Sequence, residues 1–257
     1  MTHSITAQVG SNREVSPQIY RMALKLPQRK ITGQPGQFVH LRLLQGTTAS
    51  ILRRPFSIHR LTSGRLWLLY QVKGTVTRAM ASLTPRDSVE LMVPLGNGYR
   101  INRSRQEHLL VAGGMGLAPM LFMADHLKKV GLKHRILFGC RSSSYLLPAP
   151  TGCRVASDDG SCGVRGPVTC LLEAEFSRCN NAAVYACGPW PMLRATASLC
   201  RRYKVPCQVS LESFMACGVG ACQGCAIRAA DGEYLTVCNQ GPVFDAELID
   251  WTQEHTV

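Results

Sequence analysis

Four cysteines toward the C-terminal end of the chain have the spacing of a metal-cluster site. They are Cys217, Cys222, Cys225 and Cys238. Four residues separate the first pair, two the second and twelve the third. A tight loop that supplies three thiolates, closed by a fourth from further along the chain, is the ligand pattern of a plant-type [2Fe-2S] cluster. Gly218, Gly220 and Gly224 allow the backbone to fold closely around an inorganic core and to turn its N–H groups toward sulfur. Electron transfer is therefore the first hypothesis for this segment.

Zinc is the alternative metal for four thiolates. Zinc sites usually pair their ligands as two CxxC knuckles, whereas only Cys222 and Cys225 form such a knuckle here. The spacing favours the iron-sulfur cluster and leaves zinc open.

The first residues contain no basic segment followed by an apolar run, so we expect a cytoplasmic protein without disulfides. Eight further cysteines are irregularly spaced between residues 140 and 207, and we expect them to be reduced and mostly buried.

Composition and charge limit the class of protein to which the chain can belong. A chain of 257 residues with 46% hydrophobic content can form one large domain, or two modest domains with an appendage. The longest apolar run, 109–124, is interrupted by three glycines and Pro119, so we expect no membrane insertion. The net charge of +13 comes from 29 basic and 16 acidic residues. Because the basic residues occur singly or in short pairs without interleaved aromatic residues, they favour phosphorylated cofactors or an acidic partner over nucleic acid.

The pattern of apolar residues divides the chain into three regions. Residues 1–98 contain short strands separated by turn residues, which predicts a small antiparallel barrel. Residues 99–207 alternate strands and helices, which predicts a parallel, doubly wound α/β sheet. Residues 208–257 contain the cysteine loop. The predicted strands are 37–43, 56–60, 65–73, 108–112, 135–138 and 184–186, and the predicted helices are 119–129 and 191–203.

A glycine-rich turn joins the first strand of the second region to its helix. Gly113, Gly114 and Gly116 would allow a tight turn and the close approach of a pyrophosphate, which the free N–H groups at a helix start favour. Pro119 suits the first helical turn, because the N–H that it lacks would have no partner there. The segment does not match the GxGxxG pattern closely, so an ordinary structural turn stays an equal alternative.

A second group of residues, Arg54-Pro55-Phe56-Ser57, places a cation, a rigid bend and a hydroxyl at the start of a strand. These side chains could hold the pyrophosphate of a flavin nucleotide and hydrogen-bond its ring system. A surface arginine beside an ordinary strand is the simpler interpretation when this segment is taken alone.

Several polar residues of the later regions could contact a cofactor. Asp158, Asp159 and Gly160 are typical of a turn, although a carboxylate there could contact a ribose. Glu212 could help to position a cofactor, or could act as a cap or lie at the surface. Arg141, followed by two serines, could bind a 2′-phosphate.

Taken together, these segments resemble the ferredoxin-reductase superfamily, in which a flavin-binding barrel precedes a nicotinamide-binding α/β domain. Within it, the chain resembles most the family of electron transfer subunits of heteromeric dihydroorotate dehydrogenases. The similarity extends over nearly the whole chain. Its specific segments are 53–58, 95–99, 113–119, 157–163, 185–189, 210–212, 215–225 and 237–244.

The resemblance implies a β-barrel flavin domain, an α/β nucleotide-binding domain and a small C-terminal [2Fe-2S] domain. It implies FAD, NAD(H) and the cluster as cofactors, with NADH favoured over NADPH and the four cysteines as cluster ligands. The implied FAD contacts are Arg54, Pro55, Phe56, Ser57, Leu69, Tyr70, Gln71, Gly74, Thr75, Val76 and Thr77. The implied NAD(H) contacts are Gly113, Gly114, Gly116, Pro119, Cys187, Gly188 and Pro189.

One segment departs from the family pattern. The family usually has Gly-x-Gly-Thr where this chain has Gly74-Thr75-Val76-Thr77. Because a valine side chain cannot lie where the backbone closely approaches phosphate, we expect it to point away, or the loop to use Gly74 and Thr75 instead.

The resemblance also implies a role for these cofactors. It implies an electron transfer subunit that passes electrons between NAD(H) and the FMN of a dihydroorotate dehydrogenase catalytic subunit, in pyrimidine biosynthesis, within a heterotetramer of two copies of each subunit. No catalytic residue and no dihydroorotate site are expected in this chain. The alternatives are a related FAD/[2Fe-2S] reductase subunit that serves ferredoxin, a hydrogenase or a sulfur-reducing complex, and a non-enzymatic zinc-binding or scaffold protein.

Overall fold

Two large sheets and a small cysteine-rich lobe make up the structure. The computed structural model describes residues 2–27, 31–44 and 52–253. Within these residues it contains two seven-stranded sheets, one two-stranded sheet and four α-helices. The predicted domain ranges also include residues 1, 28–30, 45–51 and 254–257, which lie outside the described residues. The predicted order, a barrel followed by an α/β sheet and a small C-terminal lobe, is confirmed.

The first sheet is antiparallel and curls around an apolar interior. It contains β1 (His3–Ser16), β2 (Ile19–Lys25), β3 (Phe38–Leu43), β4 (Arg54–Ser57), β5 (Arg60–Thr62), β6 (Arg65–Gln71) and β7 (Ser88–Leu95). These strands pair in the order β4-β3-β7-β1-β2-β6-β5. Residues alternate between interior and surface along them, so that Val89, Leu91 and Val93 of β7 are fully buried. Register shifts in β1 mark bulges, which bend the sheet.

The predicted strand 56–60 is wrong, since β4 ends at Ser57 and β5 begins only at Arg60. Ile58 between them is fully buried in the barrel. His59 lies against the second domain, with its Nδ1 atom 3.3 Å from the carbonyl oxygen of Ala118. A tertiary contact therefore interrupts a segment whose local pattern is that of one strand.

A short helix, α1 (Thr75–Ala81), connects β6 to β7 and packs into the barrel. Its residues Val76 and Met80 are buried in the barrel core. The Asn12 side-chain amide donates to the carbonyl oxygens of Met80, at 2.8 Å, and Leu83, at 3.1 Å. These bonds tie the last turn of α1 and the loop after it to β1.

The second sheet is parallel over its first six strands. These strands are β8 (Glu107–Gly113), β9 (His134–Cys140), β10 (Arg154–Ser157), β11 (Val164–Arg165), β12 (Ala182–Cys187) and β13 (Cys207–Ser210). Strand β12 is buried along its whole length, as in parallel sheets that are covered on both faces. The covering helices are α2 (Leu117–Lys129), α3 (Val168–Phe176) and α4 (Trp190–Arg202). Each predicted strand and helix of this region agrees with the structure to within two residues at either end. Across the described ranges, no helix is long and apolar enough to span a bilayer.

The cysteine loop is inserted between two strands of the second sheet. After β13 the chain forms the hairpin of β14 (Ala226–Arg228) and β15 (Tyr234–Thr236), then returns as β16 (Val243–Asp245). Strand β16 pairs antiparallel with β13, which gives the order β11-β10-β9-β8-β12-β13-β16. An expected boundary at 207/208 would cut β13. We therefore propose 211–242 as the cluster lobe, anchored by both of its ends in the nucleotide-type sheet.

One turn holds the barrel, the sheet and the lobe together. The Asn97 backbone N–H donates to the carbonyl oxygen of Gly241 at 2.6 Å, and its side-chain amide donates to the carbonyls of Asn239 and Gln240 at 3.0 and 2.9 Å. A Cβ atom at Gly96 would lie 2.5 Å from the Pro242 ring, so only glycine fits there. We call this contact between 96–97 and 239–242 the barrel–lobe junction.

A buried carboxylate fixes α3 to the second sheet. The side chain of Glu175 is 1% exposed and forms ion pairs with Arg135 of β9 and Arg154 of β10. Burial raises the pKa of this carboxyl, but hydrogen bonds from the two arginines outweigh burial and hold it below its usual range. The ionised form of Glu175 is therefore stabilised in the folded protein.

We expect Glu175→Gln to destabilise the protein by about 3 kcal/mol, because it leaves two cations beside a buried neutral group. Thermal unfolding should show this as a decrease in Tm of about 6–12 °C at neutral pH. Because the folded-state pKa is lowered, the stabilisation should be present above the ordinary carboxyl pKa and be lost as the pH falls through the lower folded value.

Glu173→Gln is the matched control, since Glu173 lies on the same helix but is 46% exposed and pairs with Arg202 at the surface. It should change Tm by no more than about 3 °C. Equal shifts in the two variants would contradict the assigned role of Glu175.

Candidate functional site

The carboxyl ends of β8 and β12 form the place on the second sheet where a ligand could bind. The chain runs outward from β8 to β9 and β10 on one side, and from β12 to β13 on the other. Ligands of open α/β sheets bind at such a topological switch point. Gly113 ends β8 and Cys187 ends β12, while Pro119 lies in the first turn of α2 and Pro189 directly precedes α4. The structure thus brings together the two turns that the sequence marks as nucleotide-binding.

These two turns touch so closely that only glycine fits at the contact. A Cβ atom at Gly116 would lie 2.0 Å from the carbonyl oxygen of Cys187, and one at Gly188 would lie 2.9 Å from the Gly113 nitrogen. Gly114 differs, because its φ is +50° and its side-chain position faces open space. Gly116 and Gly188 therefore pack one turn on the other, and Gly114 presents backbone that a ligand could approach.

Polar side chains also lie at the carboxyl ends of the neighbouring strands, beside the cleft at this switch point. Ser210 ends β13, is paired with Cys187 and is buried. Burial raises the pKa of the Cys187 thiol, and the nearby Glu212 carboxylate raises it further. Burial also raises the pKa of Glu212, whereas the Lys73 ammonium of the barrel lowers it. Lys73 follows β6 of the barrel, and Leu69 of the same strand packs against the core of the second sheet.

On the barrel side, β4 and the end of β6 have free edges. Among the strands that the structure describes, β4 pairs only with β3, and its four residues, Arg54–Ser57, are all half-buried. Strand β6 pairs with β5 only from Arg65 to Trp67, so within the described residues no strand pairs with Leu69–Gln71 on that side. The unpaired backbone groups on these two edges are available to a ligand.

The Tyr70 side chain lies away from these free edges. It is 2% exposed in the barrel core, and its hydroxyl donates to the Asn12 side-chain oxygen at 3.0 Å. Its ring packs edge-on against Phe56, with the ring centroids 6.0 Å apart. Burial raises the pKa of Tyr70 well above its usual value. A ligand could therefore reach only the backbone of Tyr70, a distinction that the sequence pattern does not make.

The segment that departs from the family pattern forms the start of α1. Gly74 precedes the helix and faces open space. The Thr77 hydroxyl accepts the backbone N–H groups of Lys73 and Gly74 at 2.9 and 3.0 Å. Val76 points into the barrel core and is 8% exposed, which is one of the two expected arrangements. The backbone at the start of this turn is thus left open to a ligand.

The cysteine loop turns backbone N–H groups toward sulfur. The Sγ atom of Cys217 accepts the N–H groups of Val219, at 3.5 Å, and Cys222, at 3.4 Å. The Sγ atom of Cys238 accepts the N–H of Gly220 at 3.1 Å. Burial raises the pKa of Cys217, but these N–H donors outweigh it and lower the pKa to about 6. The loop is thereby prepared to hold thiolate, the form that binds metal.

The four thiols form two pairs. Cys217 contacts Cys222, and Cys225 contacts Cys238. Burial, together with the hydrogen bond to Cys225, raises the pKa of Cys238 to about 12. Over residues 2–27, 31–44 and 52–253, no three His, Cys, Asp or Glu side chains are grouped around a single ion position. Two pairs match the two thiolates that each iron of a [2Fe-2S] cluster takes.

A buried histidine beside the cluster loop was missed in the sequence. His40 of β3 is fully buried, and burial lowers its pKa to about 4, as do the charges of Arg53 and Arg54, while the Cys217 backbone opposes this shift. The available signal was a histidine within the apolar strand 37–43, because polar residues in buried strands need a partner.

The acidic pair after β10 forms a tight turn. Gly160 has a φ of +77°, and the Asp159 carboxylate accepts the N–H and hydroxyl groups of Ser161 at 2.9 and 2.7 Å. Asp159 donates its backbone N–H to the carbonyl of Arg141 at 3.3 Å. The Arg141 side chain is exposed. These contacts place the predicted ribose and 2′-phosphate residues side by side at the carboxyl ends of β9 and β10.

Comparison with known proteins agrees with this site. Residues 212–250 match the family model described as the iron-sulfur cluster binding domain of dihydroorotate dehydrogenase B. The dihydroorotate dehydrogenase B (NAD(+)) electron transfer subunit of Caldanaerobacter subterraneus subsp. tengcongensis is 36% identical over 97% of this chain and 99% of that protein. The same subunit of Geobacillus kaustophilus is 36% identical over 93% of this chain and 95% of its own length.

Solved structures share the whole architecture. An NADH-dependent reduced ferredoxin-NADP oxidoreductase has a TM-score of 0.84 at 26% identity, covering 95% of this chain and 90% of that chain. Phthalate dioxygenase reductase has the same fold, with a TM-score of 0.66 at 19% identity over 95% of this chain and 77% of that chain.

The fold and the site define a flavin- and nicotinamide-linked oxidoreductase of the ferredoxin-reductase type that carries an iron-sulfur domain. FAD, NAD(H) and a [2Fe-2S] cluster, the three cofactors expected from the sequence, belong to this class. The chain is a member of the family of dihydroorotate dehydrogenase B electron transfer subunits. Neither the family nor the pairing of the thiols favours the zinc-binding alternative.

We expect Cys238→Ser to lose most of the bound iron and the visible absorption of the cluster, because one iron would then lack a thiolate ligand. Cys200→Ser is the matched control, since both cysteines are 1% exposed and Cys200 lies in α4, outside the loop. The control should keep about two irons per chain. Iron and acid-labile sulfide analysis distinguishes the variants, and equal iron contents would exclude Cys238 as a ligand.

Proposed function

We propose that this chain passes electrons between NAD(H) and the FMN of a dihydroorotate dehydrogenase catalytic subunit, by way of FAD and a [2Fe-2S] cluster. The observation that carries the proposal is the insertion of the cysteine lobe between β13 and β16, directly after the strand that pairs with β12 at the switch point. FAD can exchange two electrons with nicotinamide and one with a cluster, which is the chemistry that such an order of sites requires.

The barrel residues would hold FAD at the free edges of β4 and β6. Arg54 supplies a cation for the pyrophosphate, Ser57 a hydroxyl for the ring system, and Gly74–Thr77 an open helix start. Leu69 is buried against the second domain, so β6 connects the flavin face to the nucleotide sheet. The proposed FAD contacts are those implied by the sequence, with Tyr70 acting through its backbone and Val76 pointing into the core.

The switch-point turns would hold NAD(H). Gly114 presents backbone to the pyrophosphate, while Gly113, Gly116 and Gly188 keep the two turns in contact. Cys187 and Pro189 lie at the switch point, and Glu212 follows the neighbouring strand. A nicotinamide ring could contact a flavin at this place. The Asp159 carboxylate and the Arg141 cation at the adjacent strand ends would act oppositely on a 2′-phosphate, so we propose NADH as the substrate from the similarity to the family.

The exposed side of the cluster loop would face the partner. Cys222 is exposed, whereas Cys225 and Cys238 are buried. Phe214, three residues before Cys217, is 72% exposed, and Val219 within the loop is 45% exposed. Large exposed apolar side chains beside a redox centre are suited to a protein partner. We propose an FMN-containing catalytic subunit at this surface, two copies of each subunit, and a cytoplasmic role in pyrimidine biosynthesis.

Reconstitution of the complex tests this proposal. Mixed with the FMN-containing catalytic subunit, the chain should form an assembly whose mass matches two copies of each subunit and which reduces NAD⁺ with dihydroorotate. The chain alone should not oxidise dihydroorotate. Phe214→Ser should weaken assembly by about tenfold. Tyr234→Ser, in the same lobe and equally exposed at 71%, is the control and should not. Recovery of a ferredoxin or hydrogenase subunit in place of the FMN subunit would contradict the proposal and support the related-reductase alternative.

A further inference from the structure

His40 occupies the boundary between the barrel and the cluster loop. It lies in β3, is 0% exposed, and its Cα partners are Pro55 of β4 and Met92 of β7. Pro55 belongs to the strand proposed to bind FAD. His40 is therefore one strand away from the flavin side and in contact with the loop that carries the cluster ligands.

The imidazole ring sets the path of the loop at Gly218. A Cβ atom at Gly218 would lie 2.6 Å from the His40 Nδ1 atom and 3.1 Å from Cε1. Gly218 also has a φ of +72°, a conformation that favours glycine. The His40 ring thus fills the space that a side chain at position 218 would occupy, directly after the ligand Cys217.

The ring nitrogens of His40 have no hydrogen-bond partner of normal geometry among the described residues. Buried polar atoms are almost always paired, so each unpaired one calls for an explanation. His108, which is equally buried, is the contrast, because its ring nitrogens lie 3.1 and 3.3 Å from the carbonyl oxygens of Lys133 and Asn102. The Cys217–Gly218 turn lies beside this ring, since the Cβ position at Gly218 is 2.6 Å from Nδ1 and the Cys217 backbone acts on the imidazole.

We propose that His40 is a positioning residue for the cluster, whose imidazole donates an N–H into the Cys217–Gly218 turn, holds that turn against β3 and raises the reduction potential of the cluster. The inference rests on the cluster site proposed above. Reduction adds negative charge to the cluster, and a hydrogen-bond donor aimed at its ligand loop stabilises that charge. Transfer of an electron from the flavin side becomes more favourable as a result.

The test compares variants of the whole chain, purified with flavin and cluster, by redox titration followed with the EPR signal of the reduced cluster. His40→Leu removes the donor while filling similar space, and should shift the midpoint potential to more negative values. The shift should correspond to a three- to tenfold change in the equilibrium between oxidised and reduced cluster, about the value of one hydrogen bond. His40→Asn places an amide N–H near the position of Nδ1 and should restore most of the potential.

His108→Leu is the matched control, since it removes an equally buried histidine from the second domain and should lower Tm without moving the potential. An unchanged potential and EPR spectrum in His40→Leu would overturn the proposal. If His40→Leu assembles no cluster but His40→Asn does, the donor is required and the proposal stands. If neither assembles one while His108→Leu does, the imidazole is needed for the fold of the loop and not as a replaceable donor, and the proposal fails. A wild-type chain without an iron signal would instead refute the cluster itself.

Discussion

The barrel–lobe junction determines where the three redox sites stand relative to one another. The cluster lobe leaves the second sheet at β13 and re-enters it at β16, and between these points the Asn97 turn holds it by three hydrogen bonds. Gly96 allows the two backbones to approach more closely than a side chain would permit. Because electron transfer falls steeply with distance, a lobe on a loose linker could not maintain efficient transfer, whereas one fixed at both ends and against the barrel can.

The arrangement also explains why the proposed binding sites converge at one edge of the molecule. Parallel strands bring their carboxyl ends together, so the turns after β8, β12 and β13 open into the same cleft. On the barrel, Leu69 of β6 packs against the second sheet, and the free edges of β4 and β6 are the proposed flavin site. The cysteine loop follows β13 directly, so the cluster belongs to the same edge. An electron path from nicotinamide to flavin to cluster then needs no large movement of the chain.

Local signals in the sequence predicted the parts of this structure that depend on local geometry. The cysteine spacing, the glycine-rich turn and the buried strands of the second sheet each need particular residues at fixed separations, and all three are where the sequence placed them. The inward position of the Val76 side chain is one of the two arrangements that the requirement for close backbone approach left open.

The parts that were missed depend on contacts between distant segments. Helix α1 has only seven residues and is completed by Asn12, far away in the chain. Strand β16 has three residues and is defined by its pairing with β13 across the inserted lobe. Tyr70 and His40 are directed inward by the curl of the barrel, which no single segment encodes. Tertiary packing, not propensity, decides each of these features.

The most direct test of the account is anaerobic mixing of the isolated holo-chain with NADH, with flavin absorption and the cluster EPR signal followed over time. The account predicts that the flavin absorption bleaches first and that the reduced-cluster signal then appears, in the absence of any partner protein. A flavin that is reduced by NADH while the cluster stays oxidised, and is reducible only by a stronger reductant such as dithionite, would contradict the claim that the three sites form one electron path.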